Sequence, residues 1–316
     1  MGRFVVGRLA ASVLLFFAVT LLVFVAFFVM PRDDGGRFAR STPPQYRLHG
    51  SMLGEYAHYV WRLVGHADLG YSYGTRERVT TRLFRAAPVT LSLLAGGLVV
   101  WLLISVPLGL VAAMRPRSLI DRGAALLVMV GLSAHPVVLG LALSWLFGHR
   151  LPLLPANGYC SVNNLSTGCD GLSHWASHLV LPWLTFGIVN AALFTMMIRA
   201  LVIEELNEEY VRTARAKGAG ARRIAYGHLL RNVTLPLVTM VGVQAATSLA
   251  GVIFIETTFD LPGLGGILRR AAQTRDLPLT AGSVVFLALA IMLLNLIVDI
   301  AYALLDPRIR AASRLA

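Results

Sequence analysis

Apolar positions along this chain gather into six long runs, at residues 9–30, 88–114, 123–147, 176–198, 235–257 and 280–305. Each is long enough for a helix to cross a bilayer, which takes roughly 20 residues. Pro107, Pro136 and Pro182 fall in mid-run, which membrane helices tolerate because neighbouring helices re-satisfy the freed backbone groups. The first run has no small-residue cleavage site before Pro31 and is expected to stay as a span. The pattern predicts an all-α integral membrane protein with six transmembrane helices.

Polar positions between the runs set the orientation. Arg115, Arg117 and Arg122 crowd the turn between the second and third runs. Arg212, Arg215, Lys217, Arg222, Arg223 and Arg231 fill the segment between the fourth and fifth. Arg3 and Arg8 lie at the start of the chain, and Arg308, Arg310 and Arg314 at its end. With six spans these four regions share one side, and the positive-inside rule predicts that both termini are cytoplasmic. The first outer loop runs against the rule, with nine arginines between Arg32 and Arg85. Its length of about 55 residues is close to the limit where the rule applies. On this reading residues 1–87 form the first helix and an external loop, and residues 88–316 form a five-helix core.

Composition agrees with the pattern. Of 316 residues, 56% are hydrophobic and 14% charged, with a mean hydropathy of +0.69, where a soluble chain carries about a quarter charged residues. The net charge of +12 comes from cations placed between apolar runs. Nucleic-acid binding would need them on a soluble basic face, so that class is set aside. Cys160 and Cys169 are the only cysteines and share the loop between the third and fourth runs. That loop is expected outside, where disulfides persist, and closing it would stabilise it by about 2–3 kcal/mol in the chain-entropy model. Two free thiols are the competing reading. No Cys/His pair has a spacing suited to a metal.

Missing chemistry narrows the function further. A phosphate-cradling loop needs Gly-Lys-Ser/Thr, yet the single lysine, Lys217, stands between Ala216 and Gly218. The chain is therefore not expected to hydrolyse ATP by that machinery. Neither a His-Glu-x-x-His zinc site nor a Gly-x-Ser-x-Gly elbow occurs. Ser133 and His135 share the third run, but residues two apart on a helix face different ways; His135 reads better as a satisfied polar group at the Pro136 kink. Glu256 and Asp299 are the ionisable residues within or at the end of spans, with Asn190, Gln244 and Asn295 as neutral companions. Interhelical hydrogen bonding and substrate contact compete as readings for each. Asn190, Gln244 and Glu256 are the pathway candidates.

The cationic segment between the fourth and fifth runs calls for a partner. Residues 204–223 favour helix, and Gly218, Ala219, Gly220 and Ala221 then form a small-residue patch that a surface can approach closely. Ile224, Leu229 and Leu230 repeat at roughly helical spacing before Pro236 opens the next span. A helix resting on anionic lipid is the alternative. Small residues stand where a lipid-binding helix would want bulky apolar ones, which favours a protein groove.

These residues carry a family likeness. "YVRTARAKG" at 210–218, "HLLRN" at 228–232 and Leu235-Pro236 resemble the permease subunits of ABC importers, particularly the dipeptide/oligopeptide group. So do "DLGYSYGTRERV" at 68–79, "PVTLSLL" at 88–94, "FDLPGLGGIL" at 259–268, "RDLPL" at 275–279 and "VDIAYALLDPRIR" at 298–310. The resemblance implies the type I importer permease fold, with a cytoplasmic coupling helix at about 210–222. It assigns that role to Arg212, Thr213, Ala214, Arg215, Ala216, Lys217, Gly218 and Ala219. The broader importer signature has Glu-Ala-Ala where this chain has Arg212, Thr213 and Ala214, a departure that fits the peptide group. An external gate is implied at about 258–279, with Phe259, Leu261, Pro262 and Leu264 as candidates. Implied partners are a second homologous permease, two ATPase subunits and an external substrate-binding protein. ATP and magnesium would belong to the ATPases, and this chain would bind no cofactor. Nickel, glutathione or haem stay open as cargo beside peptides. A stand-alone channel or secondary carrier is the rival from another class.

Overall fold

The computed structural model describes residues 2–29, 51–161, 171–224, 227 and 230–305. A chain this apolar must satisfy its backbone internally, and coiling into helices does so within each segment. Among the described residues there is no strand, only an isolated bridge between Tyr71 and Arg78. The helices are α1 (Gly2–Phe24, continued by a π-helical turn Val25–Val29), α2 (Met52–His66), α3 (Val79–Met114), α4 (Leu119–Ser133) and α5 (Pro136–Leu143, continued by a π-helical stretch Ser144–Arg150). They are followed by α6 (Gly171–Leu206), α7 (Glu209–Ala216), α8 (Ala221–Ile224), α9 (Leu230–Thr258), α10 (Leu264–Gln273) and α11 (Leu277–Leu305).

Four stretches are long and apolar enough to cross a membrane: Gly7–Phe27, Val79–Met114, Gly171–Leu206 and Leu277–Ile300. Two bent pairs, Leu119–Ser133 with Pro136–Arg150 and Pro236–Ala245 with Ala250–Thr258, raise the number to as many as six if each pair is one span.

The third apolar run is not one helix. Its halves meet at 111° because Pro136 cannot donate a hydrogen bond and pushes the residue before it out of helical geometry. Ala134 and His135 are extended (ψ 117° and 140°), and the His135 ring accepts from the Val137 N–H at 3.3 Å, capping α5. Ser133 and His135 thus belong to different elements, and His135 is the satisfied polar group at a kink that its place before Pro136 suggested. Pro236 also departs from expectation, lying inside α9 rather than opening it. Helix starts there at Leu230, and the buried Val233 anchors that first turn. Both α3 and α6 continue into polar flanks beyond their apolar runs.

The chain divides into two compact units. One comprises the described residues up to Leu91 together with Pro262–Ile300; the other comprises Ser92–Leu261 and residues 301–305. In the first, α2 packs on α1: Phe24 meets the Tyr56 and Tyr59 rings at 5.5 and 5.8 Å, and Tyr56 hydrogen-bonds Thr20 at 3.0 Å. Burial, reinforced by neighbouring Tyr56 and opposed by Arg62, pushes the Tyr59 hydroxyl up to about 12. Arg8 on α1 pairs with Asp299 on α11 at 3.3 Å, giving that apolar-run carboxylate a cation. In the second unit, α4, α5 and α9 all pack against α6, and glycines let α3 approach it closely. A Cβ on Gly96 would lie 2.1 Å from the Trp183 ring, and one on Gly97 2.6 Å from Phe186. Small residues at such crossings give close van der Waals packing where lipid supplies no hydrophobic drive.

Candidate functional site

The second unit holds a cavity of about 300 Å³ lined by Pro136, Phe186, Val189, Asn190, Gln244, Thr247, Ser248, Gly251 and Ile255. Its polar wall forms because Gln244 and Ser248 are four residues apart on α9, so both face α6. Asn190 on α6 is nearly buried, at 9% exposure. Its Nδ2 donates to the Phe186 carbonyl at 2.9 Å, and its Oδ1 accepts from Ser248 Oγ at 2.6 Å and from Gln244 Nε2 at 3.4 Å. Two of the three pathway candidates, Asn190 and Gln244, are therefore in contact. Glu256 is not with them: it is fully buried and absent from the lining. Ser248 and Thr247 were not singled out from sequence. The signal was available, since a polar pair at i and i+4 inside an apolar run marks one helix face.

The expected gate segment is mostly helix. After α9 ends at Thr258, Asp260 takes a left-handed turn (φ 50°), and α10 begins at Leu264 after Gly263. Phe259 and Leu261 are buried in the second unit, where the Phe259 carbonyl accepts from the Gly158 N–H at 2.8 Å and its ring approaches Gly140 of α5. Pro262 and Leu264 fall in the first unit. Pro262 is exposed; Leu264 is buried, and its N–H donates to Thr90 Oγ1 at 2.9 Å. Irregular backbone is thus limited to residues 259–263 and 274–276, where Arg275 is left-handed (φ 54°), because Leu264, Ile267 and Ala271 share one buried face that stabilises α10 between them.

The cationic segment folds as a short amphipathic helix, shorter than the 210–222 expected. Val211 is its buried anchor, while Arg212, Thr213, Arg215 and Ala216 are exposed and Ala214 half-buried. The Tyr210 hydroxyl donates to Glu205 Oε1 at 2.7 Å, tying α7 to the end of α6. Lys217 caps the helix, Gly218 turns left-handed at φ 83°, and Ala219 and Gly220 follow before α8. Helix stops at Ala216 because that left-handed backbone suits glycine and ends the repeat. Ile224 is buried, whereas Leu229 and His228 lie outside the described residues.

Cys160 is buried at 1% exposure; its expected partner Cys169 lies outside the described residues.

Two further polar arrangements escaped the sequence reading. Asp276, 3% exposed, precedes α11 and accepts from the Leu279 N–H at 3.2 Å, from the Tyr73 and Gly74 N–H groups at 3.3 and 3.0 Å, and from the Ser72 hydroxyl. Arg199 on α6 forks onto Asp121 at the start of α4, with distances of 2.8 and 3.3 Å. Asp121 also accepts from the Arg117 N–H at 2.9 Å. An Asp two residues before a proline was a legible helix start; its second set of donors, some 200 residues away, was not.

Several apolar helices, a break at Pro136 and a cavity with a neutral polar wall between α6 and α9 are the features of a multi-pass membrane protein. Known proteins resemble this chain over nearly its whole length. Residues 105–311 match the family described as "Binding-protein-dependent transport system inner membrane component". The dipeptide transport system permease protein DppB of Escherichia coli (strain K12) is 33% identical over 337 residues, covering 98% of this chain and 99% of that one. The di/tripeptide transport system permease protein DppB of Pseudomonas aeruginosa (strain UCBPP-PA14) is 33% identical over 334 residues, with the same coverage. A probable peptide ABC transporter permease protein, y4tP of Sinorhizobium fredii, is 29% identical over 319 residues, covering 98% and 100%. The chain belongs to the binding-protein-dependent inner membrane component family and is a multi-pass protein of the bacterial inner membrane. Members of this family are transport subunits rather than enzymes.

Proposed function

We propose that this chain is one permease half of an ATP-driven ABC importer that admits di- and oligopeptides delivered by an external binding protein. End-to-end similarity to proteins named as dipeptide and di/tripeptide permeases supports the cargo class. The observation that carries the coupling role is α7. It is a short helix outside the candidate spans, anchored by one buried valine and presenting Arg212, Thr213, Arg215 and Ala216 outward.

On this reading the bent pairs are spans, giving six, with both termini and α7 in the cytoplasm. Residues 1–87 supply the first span and external loop, and 88–316 the core. Residues 212–219 seat in a groove on an ATPase subunit. A second homologous permease completes the pathway, and two ATPase subunits bind ATP and magnesium. Closure of the ATPases moves the coupling helices and biases the spans between two states, as alternating access requires. Phe259, Leu261, Pro262 and Leu264 contribute to an external gate, and Asn190 and Gln244 to the pathway wall. Glu256, the third pathway candidate, is fully buried one residue past the lining Ile255. Cys160 pairs with Cys169 to staple the external loop.

The test is a mild-detergent purification of the tagged protein from native membranes, assayed for ATP hydrolysis and peptide uptake after reconstitution. Gly218 is a poor site for a disrupting variant, since any side chain strains its left-handed backbone. Ala216→Arg adds bulk to the exposed end of α7 without that strain. Co-purifying ATPase activity that drives peptide uptake, and uptake abolished by Ala216→Arg with normal expression, is the expected result. An isolated chain that moves solute without ATP would replace this reading with the stand-alone carrier.

A further inference from the structure

The cavity between α6 and α9 has a hydrogen-bonding direction that its residues fix. A backbone carbonyl only accepts, so the Asn190 group beside the Phe186 carbonyl must be its NH₂. The Asn190 oxygen then faces α9, where it takes the Ser248 hydroxyl and, from Gln244, must take the NH₂ end as well. The amide of Gln244 is thereby oriented: one N–H holds Asn190, leaving Oε1 and the second N–H. Neither has a further partner among the described residues, and Gln244 lines the cavity. An amide with one acceptor and one donor left over is the complement of one extended peptide residue, whose main-chain N–H and C=O point to the same side.

The rest of the lining adds a second constraint. None of its residues ionises; Asn190, Gln244, Thr247 and Ser248 are neutral, and Phe186, Val189 and Ile255 are apolar. A charged wall would discriminate among cargo side chains by sign, because charge juxtaposed in a low-dielectric site is strongly selective. A neutral amide wall reads the main chain that all peptides share.

We propose that Gln244 is the cargo-binding residue of this cavity, taking a main-chain N–H and C=O of a peptide in transit. Asn190 and Ser248 hold its amide in that orientation as positioning residues. Neutrality of the wall makes this step indifferent to cargo side-chain charge. This inference rests on the peptide-importer reading above.

The test uses the complete reconstituted transporter and three dipeptides: Ala-Ala, Ala-Glu and Ala-Lys. Wild type should show similar translocation-step rates for all three once binding-protein saturation is matched. Gln244→Glu keeps the shape and adds a carboxylate. It should lower Ala-Glu uptake by about tenfold or more relative to Ala-Lys while ATP hydrolysis persists. Ser248→Ala, which loosens Asn190, should raise KM for all three peptides with kcat little changed, and it carries the test if Gln244→Glu fails to assemble. An assembled Gln244→Glu complex that transports the three in wild-type proportion overturns this inference and leaves the importer reading intact. The same holds for an unchanged KM in Ser248→Ala. A wild-type complex that moves none of the dipeptides overturns the importer reading itself.

Discussion

Asp276 and Ser72, 204 residues apart in sequence, share a buried hydrogen bond that joins the "RDLPL" and "DLGYSYG" motifs in one clamp. Ser72 is fully buried, and the same carboxylate receives the Tyr73 and Gly74 N–H groups while capping α11 through Leu279. Removing an acceptor from several buried donors costs each its desolvation, about 1–3 kcal/mol apiece. Asp276→Ala should therefore destabilise the protein by several kcal/mol on the same scale. Ser72→Ala removes one donor to Asp276 and the acceptor of the Thr75 N–H and hydroxyl, but Thr75 is exposed and water can replace that acceptor, so its loss should be smaller. Thermal melts of both variants in detergent check the order; equal losses would mean that the clamp does not act through the carboxylate.

The ion pair between Arg199 and Asp121 ties the start of α4 to α6 by two hydrogen bonds. Arg199 is only partly exposed, and the planar guanidinium matches the carboxylate in a way a lysine ammonium does not. Arg199→Lys should lower the melting temperature slightly, and Asp121→Ala should lower it further, because the latter also removes the acceptor of the Arg117 N–H. A charge-reversed pair should recover part of the loss only. Full recovery in a double-mutant cycle would show that the backbone contact contributes nothing.

Gly96 tests how closely α3 and α6 must approach. An added Cβ would collide with Trp183, whose ring N–H is tied to the Ser92 carbonyl at 3.0 Å and so does not swing away freely. Overpacking of this kind costs about 1–3 kcal/mol. Gly96→Ala should lower the melting temperature and the yield of folded protein. Gly7→Ala, where a Cβ meets open space, should do neither.

How much of this was legible in the sequence depends on the range of the interaction. Apolar runs mark α1, α3, α6, α9 and α11 because spanning a bilayer needs local apolar length and little else. The break at Pro136 was visible as a kink, but its 111° angle was not, since the packing of α5 on α6 and α9 decides where the second half goes. Asn190 and Gln244 could be picked out as polar residues in apolar runs. That they meet, with Ser248 between them, is a property of how α6 and α9 are placed. Asp276 was not singled out, because nothing local marks Ser72 as its partner. The end of α7 was missed by several residues because composition favours helix through Arg223, whereas the left-handed Gly218 ends it at Ala216.

Tyr59 gives the first unit an alkaline limit. Its hydroxyl is raised from the usual value near 10 to about 12 by burial, so folding favours the protonated ring. The associated stability is fully present below pH 10 and is lost as the pH rises towards 12. Tyr59→Phe has no proton to lose there. Its stability should fall less steeply than wild type over that interval, whatever its offset at neutral pH, and parallel melting curves would remove Tyr59 as the cause.

The two faces of α7 should separate structure from partner contact. Val211 is fully buried, so Val211→Ala removes packing that holds the helix against its own chain, at a cost of about 1–3 kcal/mol. Arg215 is exposed on the outward face, where a change of charge has little effect on folding. Arg215→Glu should therefore leave hydrogen-exchange protection of residues 209–216 unchanged while weakening capture of the ATPase subunits, more so at low salt. Val211→Ala should raise exchange across the same residues before any partner is added. If Arg215→Glu binds and drives the ATPases as wild type does, the outward cations of α7 are not the contact, and the groove must read the small residues after Ala216 instead.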